Sequence, residues 1–205
     1  MGFYGEHVLP RIINLAMNTK QTREIRSRVC AGLSGEVVEI GFGTGHNLPY
    51  LATSVTHLRA VEPSAVGVAL AAGRIATSPA PVEIVGLDGQ RLPLPDDSAD
   101  AVLCTWSLCT IPDPTAAVLE MRRVLRPGGR LHFAEHGVAP DEKVRRWQGR
   151  LNGVQRRIAG GCNLNRDIPA IITSAGMTIE QLDTYFGKGE PKPFAFTYEG
   201  VAVAA

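Results

Sequence analysis

Three glycines stand at alternate positions directly behind a short apolar run, where a chain could bind a nucleotide. The run ends at Ile40, and Gly41, Gly43 and Gly45 follow it. Glycines between a strand and a helix allow a tight turn and a close approach of backbone to ligand. A dinucleotide fingerprint would have its third glycine at position 46, which is histidine, and the Gly-Lys-Ser/Thr end of a P-loop is missing. The spacing therefore predicts a nucleotide-type loop that does not cradle phosphates.

Glu39 lies inside the apolar run, two residues before the first of these glycines. A buried carboxylate is costly unless it meets a cation or hydrogen-bond donors. It would repel a phosphate and would favour a ligand that carries an ammonium and a sulfonium. The alternative is that Glu39 bonds local backbone amides and that the loop is only a tight turn.

Two more acidic residues follow the next two apolar runs. Glu62 lies about 20 residues beyond the glycines, the spacing at which a carboxylate can accept both hydroxyls of a ribose. Asp88 could accept from an adenine amino group, and the N–H of Gly89 could donate to the ring. The simpler alternatives are a solvated strand-end glutamate and an Asp-Gly turn. With Glu39, these residues form one constellation at successive strand ends.

Other residues could act on an acceptor or close over the site. His136 is the candidate general base, and Glu135 could orient it or cap a helix. The alternative is a surface histidine beside a strand-end glutamate. Tyr4 and His7 could close over the cofactor from the N-terminal helix. Trp106 is expected to shape the substrate pocket or to pack in the core.

The segment GGCNLNRD supplies two further candidates. Asn163 and Arg166 could belong to a lid or to the substrate pocket. The alternative is a Gly-Gly turn in which Asn165 or Asp167 caps the next helix.

Apolar runs and helical patterns alternate along the chain. Strands are predicted at EVVEIG, HLRAVEP, PVEIVG, ADAVLCTW, RLHFAEH, TIEQLDTYF and FAFTYEGVAVA. Helices are predicted over 3–30 (with a kink or restart at Pro10), 47–52, 65–76, 115–126 and 141–158. The alternation predicts an α/β fold with a doubly wound, mostly parallel, seven-stranded sheet and a ligand at the carboxyl ends of its strands. The last two strands are joined by a loop alone, which predicts an antiparallel hairpin at the end of the sheet.

Composition and charge exclude several classes of protein. The chain has 205 residues, a length typical of one domain. Its formal net charge of +1 argues against a dedicated nucleic-acid binder. No apolar run reaches the roughly 20 residues of a membrane span, and the first residues are not typical of a signal peptide. The four cysteines show neither a CxxC pair nor zinc-finger spacing. Free thiols in a reducing cytosol are therefore expected, with Cys109 as a packing residue and without a metal.

Residues 141–158 combine apolar residues at helical spacing with basic neighbours. The apolar members are Val144, Trp147, Leu151, Val154 and Ile158, and the basic ones are Lys143, Arg145, Arg146, Arg150, Arg156 and Arg157. The favoured interpretation is an amphipathic cover over the substrate pocket with a solvated basic face. The alternative is a helix that lies on a membrane surface.

Four segments, taken in order, resemble the motifs of class I S-adenosylmethionine-dependent methyltransferases of the methyltransferase type 11 group. They are VVEIGFGTG, AVEP, LDGQRLPLPDDSADAVLCTWSLCTI and VLRPGGRLHFAEHG. The resemblance implies a Rossmann-like methyltransferase domain over residues 31–205 and an N-terminal helical lid over residues 1–30.

The same resemblance implies roles at the cofactor. The backbone of residues 41–43 would hold the methionine end, Glu62 the ribose and residues 88–89 the adenine, while residues 104–105 would line the methionine side. The candidate cofactor-binding residues are Glu39, Gly41, Phe42, Gly43, Gly45, Asn47, Glu62, Pro63, Asp88, Gly89, Cys104 and Thr105.

A narrower similarity bears on the acceptor. VLCTWSLCTIPDP, the tryptophan-bearing helix after the fifth strand and GGCNLNRD are similar to methyltransferase-like protein 7, the alkyl-thiol S-methyltransferases. This similarity implies methyl transfer to a small apolar acceptor, preferably a thiol. One alternative is an O- or N-methyltransferase for a lipid, a quinone or a secondary metabolite. Another is an S-adenosylmethionine-binding protein that catalyses no transfer.

Overall fold

The computed structural model describes residues 4–204. Residue 3, where the predicted first helix begins, lies outside the described residues. The strands are β1 (Gly35–Ile40), β2 (Val55–Val61), β3 (Val82–Gly86), β4 (Ala99–Thr105), β5 (Leu125–His136), β6 (Met177–Phe186) and β7 (Phe196–Ala204). The helices are α1 (Leu9–Ala16), α2 (Lys20–Cys30), α3 (Ala65–Ala76), α4 (Pro114–Val124), α5 (Glu142–Ile158), α6 (Ile168–Ser174) and α7 (Lys192–Ala195). A π-helical turn (Tyr4–Val8) precedes α1, and a single 3₁₀ turn (Leu48–Tyr50) is all that forms where a helix over 47–52 is predicted.

The seven strands form one sheet in the order β3-β2-β1-β4-β5-β7-β6. All neighbouring pairs are parallel except those that involve β7, which runs antiparallel to both β5 and β6. The predicted fold class and terminal hairpin are confirmed, and the antiparallel strand lies one place inside the edge. Because the chain changes direction across the sheet between β1 and β4, a crevice opens at the carboxyl ends of these two strands.

Alternation along the central strands assigns each side chain to one face of the sheet. Val38 and Val102 pack in the core on one face, while Val37 and Leu103 pack on the other, beneath α2 and α3. Since successive side chains of a strand point to opposite faces, Glu39 shares the face of Val37 and points toward α2. The strand pattern thus decides which helix faces this carboxylate.

The N-terminal helical segment is broken where its sequence caps a new helix. The Thr19 hydroxyl accepts from the Thr22 N–H at 3.1 Å, and the Thr22 hydroxyl accepts from the Thr19 N–H at 3.0 Å. This reciprocal cap begins α2. The predicted restart at Pro10 is confirmed by its position in the first turn of α1, whereas the break at residues 17–19 is an addition to the prediction.

Helix α5 follows the predicted apolar face only at its start. Its buried residues are Val144, which packs in the core, and Gln148, which is 1% exposed and donates its amide to the Gly137 carbonyl at 3.0 Å. Its outward side carries Trp147, Val154 and Ile158, each more than half exposed at 53%, 58% and 56%. The favoured interpretation, an apolar face that covers the pocket, is therefore wrong for Trp147, Val154 and Ile158, which face outward. Val144 and the hydrogen bonds of the Gln148 amide fasten the helix to the domain.

Candidate active site

The buried carboxylate of Glu39 is the centre of a polar network under the crevice. Its Oε1 accepts from the Asn47 side-chain amide at 2.7 Å, and the same amide nitrogen donates to the Thr105 hydroxyl at 3.0 Å. The other oxygen, Oε2, has no partner among the described residues. Burial raises the pKa of Glu39 to about 8, against the opposing effects of the Asn47 hydrogen bond and the Arg26 charge. A buried acceptor atom without a partner is rare in folded proteins and points to a ligand.

Arg26 of α2 completes this network, although it is not among the site residues predicted from the sequence. Its Nη1 donates to the Asn47 side-chain oxygen at 2.6 Å, and its guanidinium lies 4.7 Å from the centre of the Trp106 ring. Burial lowers the pKa of Arg26 to about 10. The missed signal is the helical spacing of the buried face of α2, which consists of Thr22, Ile25, Arg26, Val29 and Cys30. A basic residue on such a stripe indicates a buried charge with a partner.

Most N–H groups of the glycine loop, residues 41–45, are bonded within the protein. All three of its glycines have positive φ, between 58° and 74°. The N–H groups of Gly41 and Phe42 both donate to the Val61 carbonyl, and that of Gly43 donates to Glu62 at 2.6 Å. A Cβ at Gly41 would lie 1.9 Å from the Ser107 hydroxyl oxygen. Because the first three N–H groups of the loop are already bonded, it is unsuited to cradle a phosphate, as the sequence predicts.

Glu62 fastens the loop to the next helix. Its two oxygens accept from the Gly43 N–H and, at 2.8 Å, from the Ser64 N–H. Burial raises its pKa, against these two hydrogen bonds. Pro63, directly after it, is exposed. Glu62 is therefore a buried, bonded carboxylate at the end of β2 rather than a solvated strand-end residue.

The adenine-side candidates lie at the rim of the crevice. Asp88 is exposed, and its Oδ1 accepts from the backbone and side-chain nitrogens of Gln90 at 2.9 and 3.0 Å. The Gln90 hydrogen bonds lower the pKa of Asp88. Gly89 is buried, and a Cβ there would come within 2.8 Å of Ile40 at the end of β1. The Asp-Gly turn predicted as the alternative is thus present, and it holds Gly89 against the strand that carries Glu39.

Glu135 supports the backbone rather than His136. It is fully buried, and its oxygens accept from the N–H groups of Ser107, Leu108 and Cys109 at 2.7, 2.9 and 3.1 Å. The Cys104 thiol approaches the same carboxylate at 3.5 Å. Burial raises the pKa of Glu135 to about 7, and the three backbone bonds act against that rise. These bonds hold a turn and not a helix N-terminus, and a catalytic role for Glu135 stays a prediction.

Asn163 and Arg166 also hold the segment after β4, the support loop of residues 107–112. The Asn163 side-chain amide donates to the Cys109 carbonyl at 3.0 Å. Arg166 donates to the carbonyls of Leu108 and, at 2.6 Å, Ile111. With their donors bonded to backbone carbonyls, these residues support the loop, and their predicted role at the substrate stays a prediction. Asp167 accepts from the Ala170 N–H at 3.0 Å, so the predicted helix cap is confirmed.

Trp106 and His136 face a common cavity of about 220 Å³. Its other lining residues include Met17, Gln21 and Ile25 from the N-terminal helices and Glu190 and Thr197 from the C-terminal part. Trp106 has φ 51°, a left-handed conformation unusual for an aromatic residue, and its ring centre lies 6.3 Å from that of His136. Strained residues of this kind concentrate at functional sites. A second cavity of about 280 Å³ lies at the amino ends of β4 and β5 and contains none of the candidate residues.

Tyr4 and His7 are both exposed and do not line this cavity. The Tyr4 hydroxyl donates to the Ile158 carbonyl at 2.9 Å, at the end of α5. Asn14 of α1 instead contacts the glycine loop: its side-chain oxygen accepts from the Thr44 hydroxyl at 2.8 Å, and its carbonyl lies 3.0 Å from the His46 ring. The N-terminal segment thus reaches the loop through a residue that the sequence reasoning did not select.

Comparisons with known proteins agree with this geometry. A family model described as a methyltransferase domain matches residues 38–133. Human thiol S-methyltransferase TMT1B is 32% identical over 164 residues, which cover 75% of this chain and 66% of that protein. The demethylmenaquinone methyltransferase of Clavibacter sepedonicus is 34% identical over 130 residues, 63% of this chain and 53% of that protein. The chain therefore spans between half and two thirds of the length of these two curated relatives.

A solved structure extends the likeness over the whole fold. A SAM-dependent methyltransferase from Thermotoga maritima superposes with a TM-score of 0.67 and 21% identity, covering 97% of this chain and 99% of that chain. Among the described residues, no helix has the length and apolar character needed to cross a bilayer. The matched domain, the relatives and the strand order make this chain a member of the class I S-adenosylmethionine-dependent methyltransferases.

Proposed function

We propose that this protein transfers a methyl group from S-adenosylmethionine to a small apolar acceptor, preferably a thiol. The observation that carries the proposal is the unpartnered oxygen of buried Glu39, close to a glycine loop whose first three N–H groups are bonded. Such a site suits a cation. The same network reaches Trp106, which lines the neighbouring cavity with His136.

The residues present fit the cofactor that the family implies. Glu39 would receive its positive charge, Glu62 the ribose hydroxyls through its remaining lone pairs, and the Asp88-Gly89 turn the adenine edge. A Cβ at Gly43 would meet only the Gly41 carbonyl at 3.9 Å, so this backbone borders open space where a ligand can approach. When bound, the cofactor supplies an activated methyl group on a sulfonium. The chain itself contributes mainly alignment of the acceptor with that methyl.

The cavity supports a thiol as the acceptor. Its walls include Met17, Ile25 and Trp106, which suit an apolar body, and His136, the candidate base, lines it as well. A free thiol has a pKa of about 8.5, so a few per cent is already thiolate at neutral pH. A hydroxyl would depend far more on a positioned base. The similarity to human TMT1B, named a thiol S-methyltransferase, points the same way.

An acceptor panel tests this proposal. An alkyl thiol, a phenol and a primary amine of matched size are offered with labelled S-adenosylmethionine, and methylated products are counted. We expect the thiol to react at least about tenfold faster than the others, because it alone needs little activation. Faster methylation of the phenol or the amine would contradict the thiol assignment, and no product from any acceptor would favour a binding protein without transferase activity.

A second candidate is methyl transfer to a lipid or quinone taken from a membrane surface, and the exposed face of α5 favours it. Trp147, Val154 and Ile158 project outward on a helix that carries six basic residues and one acidic residue, while the whole chain has a net charge of only +1. An apolar stripe with basic flanks suits the surface of an anionic bilayer. Peripheral membrane contact, the cytoplasmic location and the lid role of residues 1–30 stay predictions.

Vesicle sedimentation tests this contact. We expect the protein to bind vesicles that contain phosphatidylglycerol. Replacement of Trp147, Val154 and Ile158 by serine should weaken binding by about tenfold or more, because each replacement removes apolar area that the membrane would bury. Leu119→Ser on α4 is the control, because Leu119 is similarly exposed, at 47%, on another helix. Equal binding of the triple variant and the parent protein would contradict a role for α5.

A further inference from the structure

Two cysteines and one histidine from separate parts of the chain meet beside the acceptor cavity. Cys109 belongs to the support loop after β4, His136 ends β5, and Cys162 follows α5. The two Sγ atoms lie 3.6 Å apart. One ring nitrogen of His136 and both sulfurs all lie within 4.8 Å of one another. The three ligand atoms therefore form a compact triangle.

The triangle has the dimensions of a tetrahedral metal site. Zinc binds thiolate sulfur at about 2.3 Å and imidazole nitrogen at about 2.0–2.1 Å, which places two ligand sulfurs about 3.8 Å apart. The sulfurs of Cys109 and Cys162 already have this separation within about 0.2 Å. The imidazole nitrogen of His136 would have to move by up to about 1.4 Å to complete the set. Two cysteines and one histidine also form one of the ligand sets that leave a fourth position open.

The surrounding hydrogen bonds fix the two cysteine segments together. The Cys109 carbonyl accepts from the Asn163 N–H at 2.8 Å and from its side-chain amide at 3.0 Å. The Cys109 N–H donates to Glu135. Arg166 donates to the carbonyls on either side of Cys109 in the same loop. The supports described above thus hold the ligand atoms in place, as a preorganised metal site requires.

Both cysteines are buried, while His136 is half-buried and lines the acceptor cavity. The cluster is therefore closed on its sulfur side and accessible on its histidine side. Since His136 is the ligand that lines the cavity, an ion held there would border the acceptor site.

We propose that Cys109, His136 and Cys162 bind a thiophilic divalent ion of the zinc class. The open position of this ion takes the acceptor thiol, whose identity rests on the proposed function. The two cysteines release their protons when the ion binds. The acceptor thiol then releases its proton to solvent on coordination. Its sulfur lone pair forms the new S–C bond as the methyl–sulfonium bond breaks, and no oxidant or reductant takes part. When the ion is bound, His136 is one of its ligands. The ion then promotes deprotonation of the acceptor thiol in place of His136.

Direct metal binding tests the site without methyl transfer. The reduced, chelator-treated protein is titrated with Zn²⁺ and Co²⁺, and bound metal and the thiolate-to-cobalt charge-transfer band are measured. We expect one ion per chain and a band typical of tetrahedral thiolate coordination. Cys162→Ala, Cys109→Ala and His136→Ala should each weaken binding by about tenfold to a hundredfold or more. Cys30→Ala is the matched control, because Cys30 is an equally buried thiol on α2 and should leave metal binding unchanged.

Several results would overturn the inference. These are no bound ion in the parent protein, a charge-transfer band that survives Cys162→Ala, or a Cys109–Cys162 disulfide with no metal in the protein purified without reductant. Circular dichroism identifies a variant that fails to fold, in which case the titration of the parent protein decides. Calorimetry with S-adenosylhomocysteine separates the two proposals. A protein that binds this product and methylates thiols without metal contradicts the ion site alone, whereas one that binds metal but not the product contradicts the proposed function alone.

Discussion

Glu39→Gln is expected to weaken S-adenosylmethionine binding by about a hundredfold, or roughly 3 kcal/mol. The replacement keeps the size of the side chain and the hydrogen bond from Asn47, but it removes the charge that would face the cationic cofactor. Isothermal titration calorimetry measures the change. Glu199→Gln is the control, because Glu199, on β7, is also buried but is paired with Arg28 of α2.

The pH dependence of binding gives this prediction a second measurement. Because the pKa of Glu39 is raised to about 8 in the free protein, the carboxyl is mostly protonated at pH 7 and must ionise to meet a cation. Cofactor affinity should therefore rise between about pH 6 and 7.5, by up to roughly tenfold per pH unit, with release of a proton. In Glu39→Gln this rise should disappear. Unchanged affinity in the variant, at every pH, would show that Glu39 does not face the cofactor's charge.

The stability of the free protein should depend on pH in the opposite sense: it should fall as pH rises. A folded-state pKa of about 8, above the ordinary value of 4.5 for a glutamate, means that folding holds the proton of Glu39. That contribution is fully present below about pH 4.5 and is lost as pH rises through about 8. Near pH 8, Glu39→Gln should therefore be the more stable protein without ligand, by on the order of a few kcal/mol. This site would then trade stability for cofactor affinity.

Glu135→Ala is expected to lower the free energy of unfolding by about 3–5 kcal/mol. The change leaves three buried backbone N–H groups, those of residues 107–109, without their acceptor. Urea denaturation measures the loss. Ser107 lies against Gly41, so cofactor affinity should fall as well if the support loop shifts.

Two variants separate this effect from general sensitivity to mutation. Glu135→Gln keeps one acceptor oxygen and should lower the free energy of unfolding by less, about 1–2 kcal/mol. Glu120→Ala is the matched control. Glu120 accepts one backbone N–H, that of Leu92, and pairs with Arg123 in a more exposed position. This variant should lower the free energy of unfolding by about 1 kcal/mol. A change within about 1 kcal/mol for Glu135→Ala would contradict its role as a support.

The strand-end constellation could be predicted because its signals are local. Glu39, Glu62 and Asp88 each follow or lie in a short apolar run, and the glycines mark positions where the backbone takes positive φ. In a parallel sheet the carboxyl ends of neighbouring strands meet at one edge, so chain order alone brings these residues together. The prediction for α5 was wrong for Trp147, Val154 and Ile158, because periodicity identifies an apolar stripe but not the direction in which it points.

The amino-acid sequence by itself determined the α/β class, the sheet with its terminal hairpin and the kind of loop that follows β1. These follow from patterns within about ten residues, namely alternation, capping residues and glycine spacing. Only the tertiary structure decided which groups meet across long separations: Arg26 with Asn47 under the crevice, Glu135 with the loop after β4, and Cys109 with His136 and Cys162. A buried polar group is stabilised by whichever partner the packing of distant elements brings within hydrogen-bond reach, and no local pattern encodes that partner.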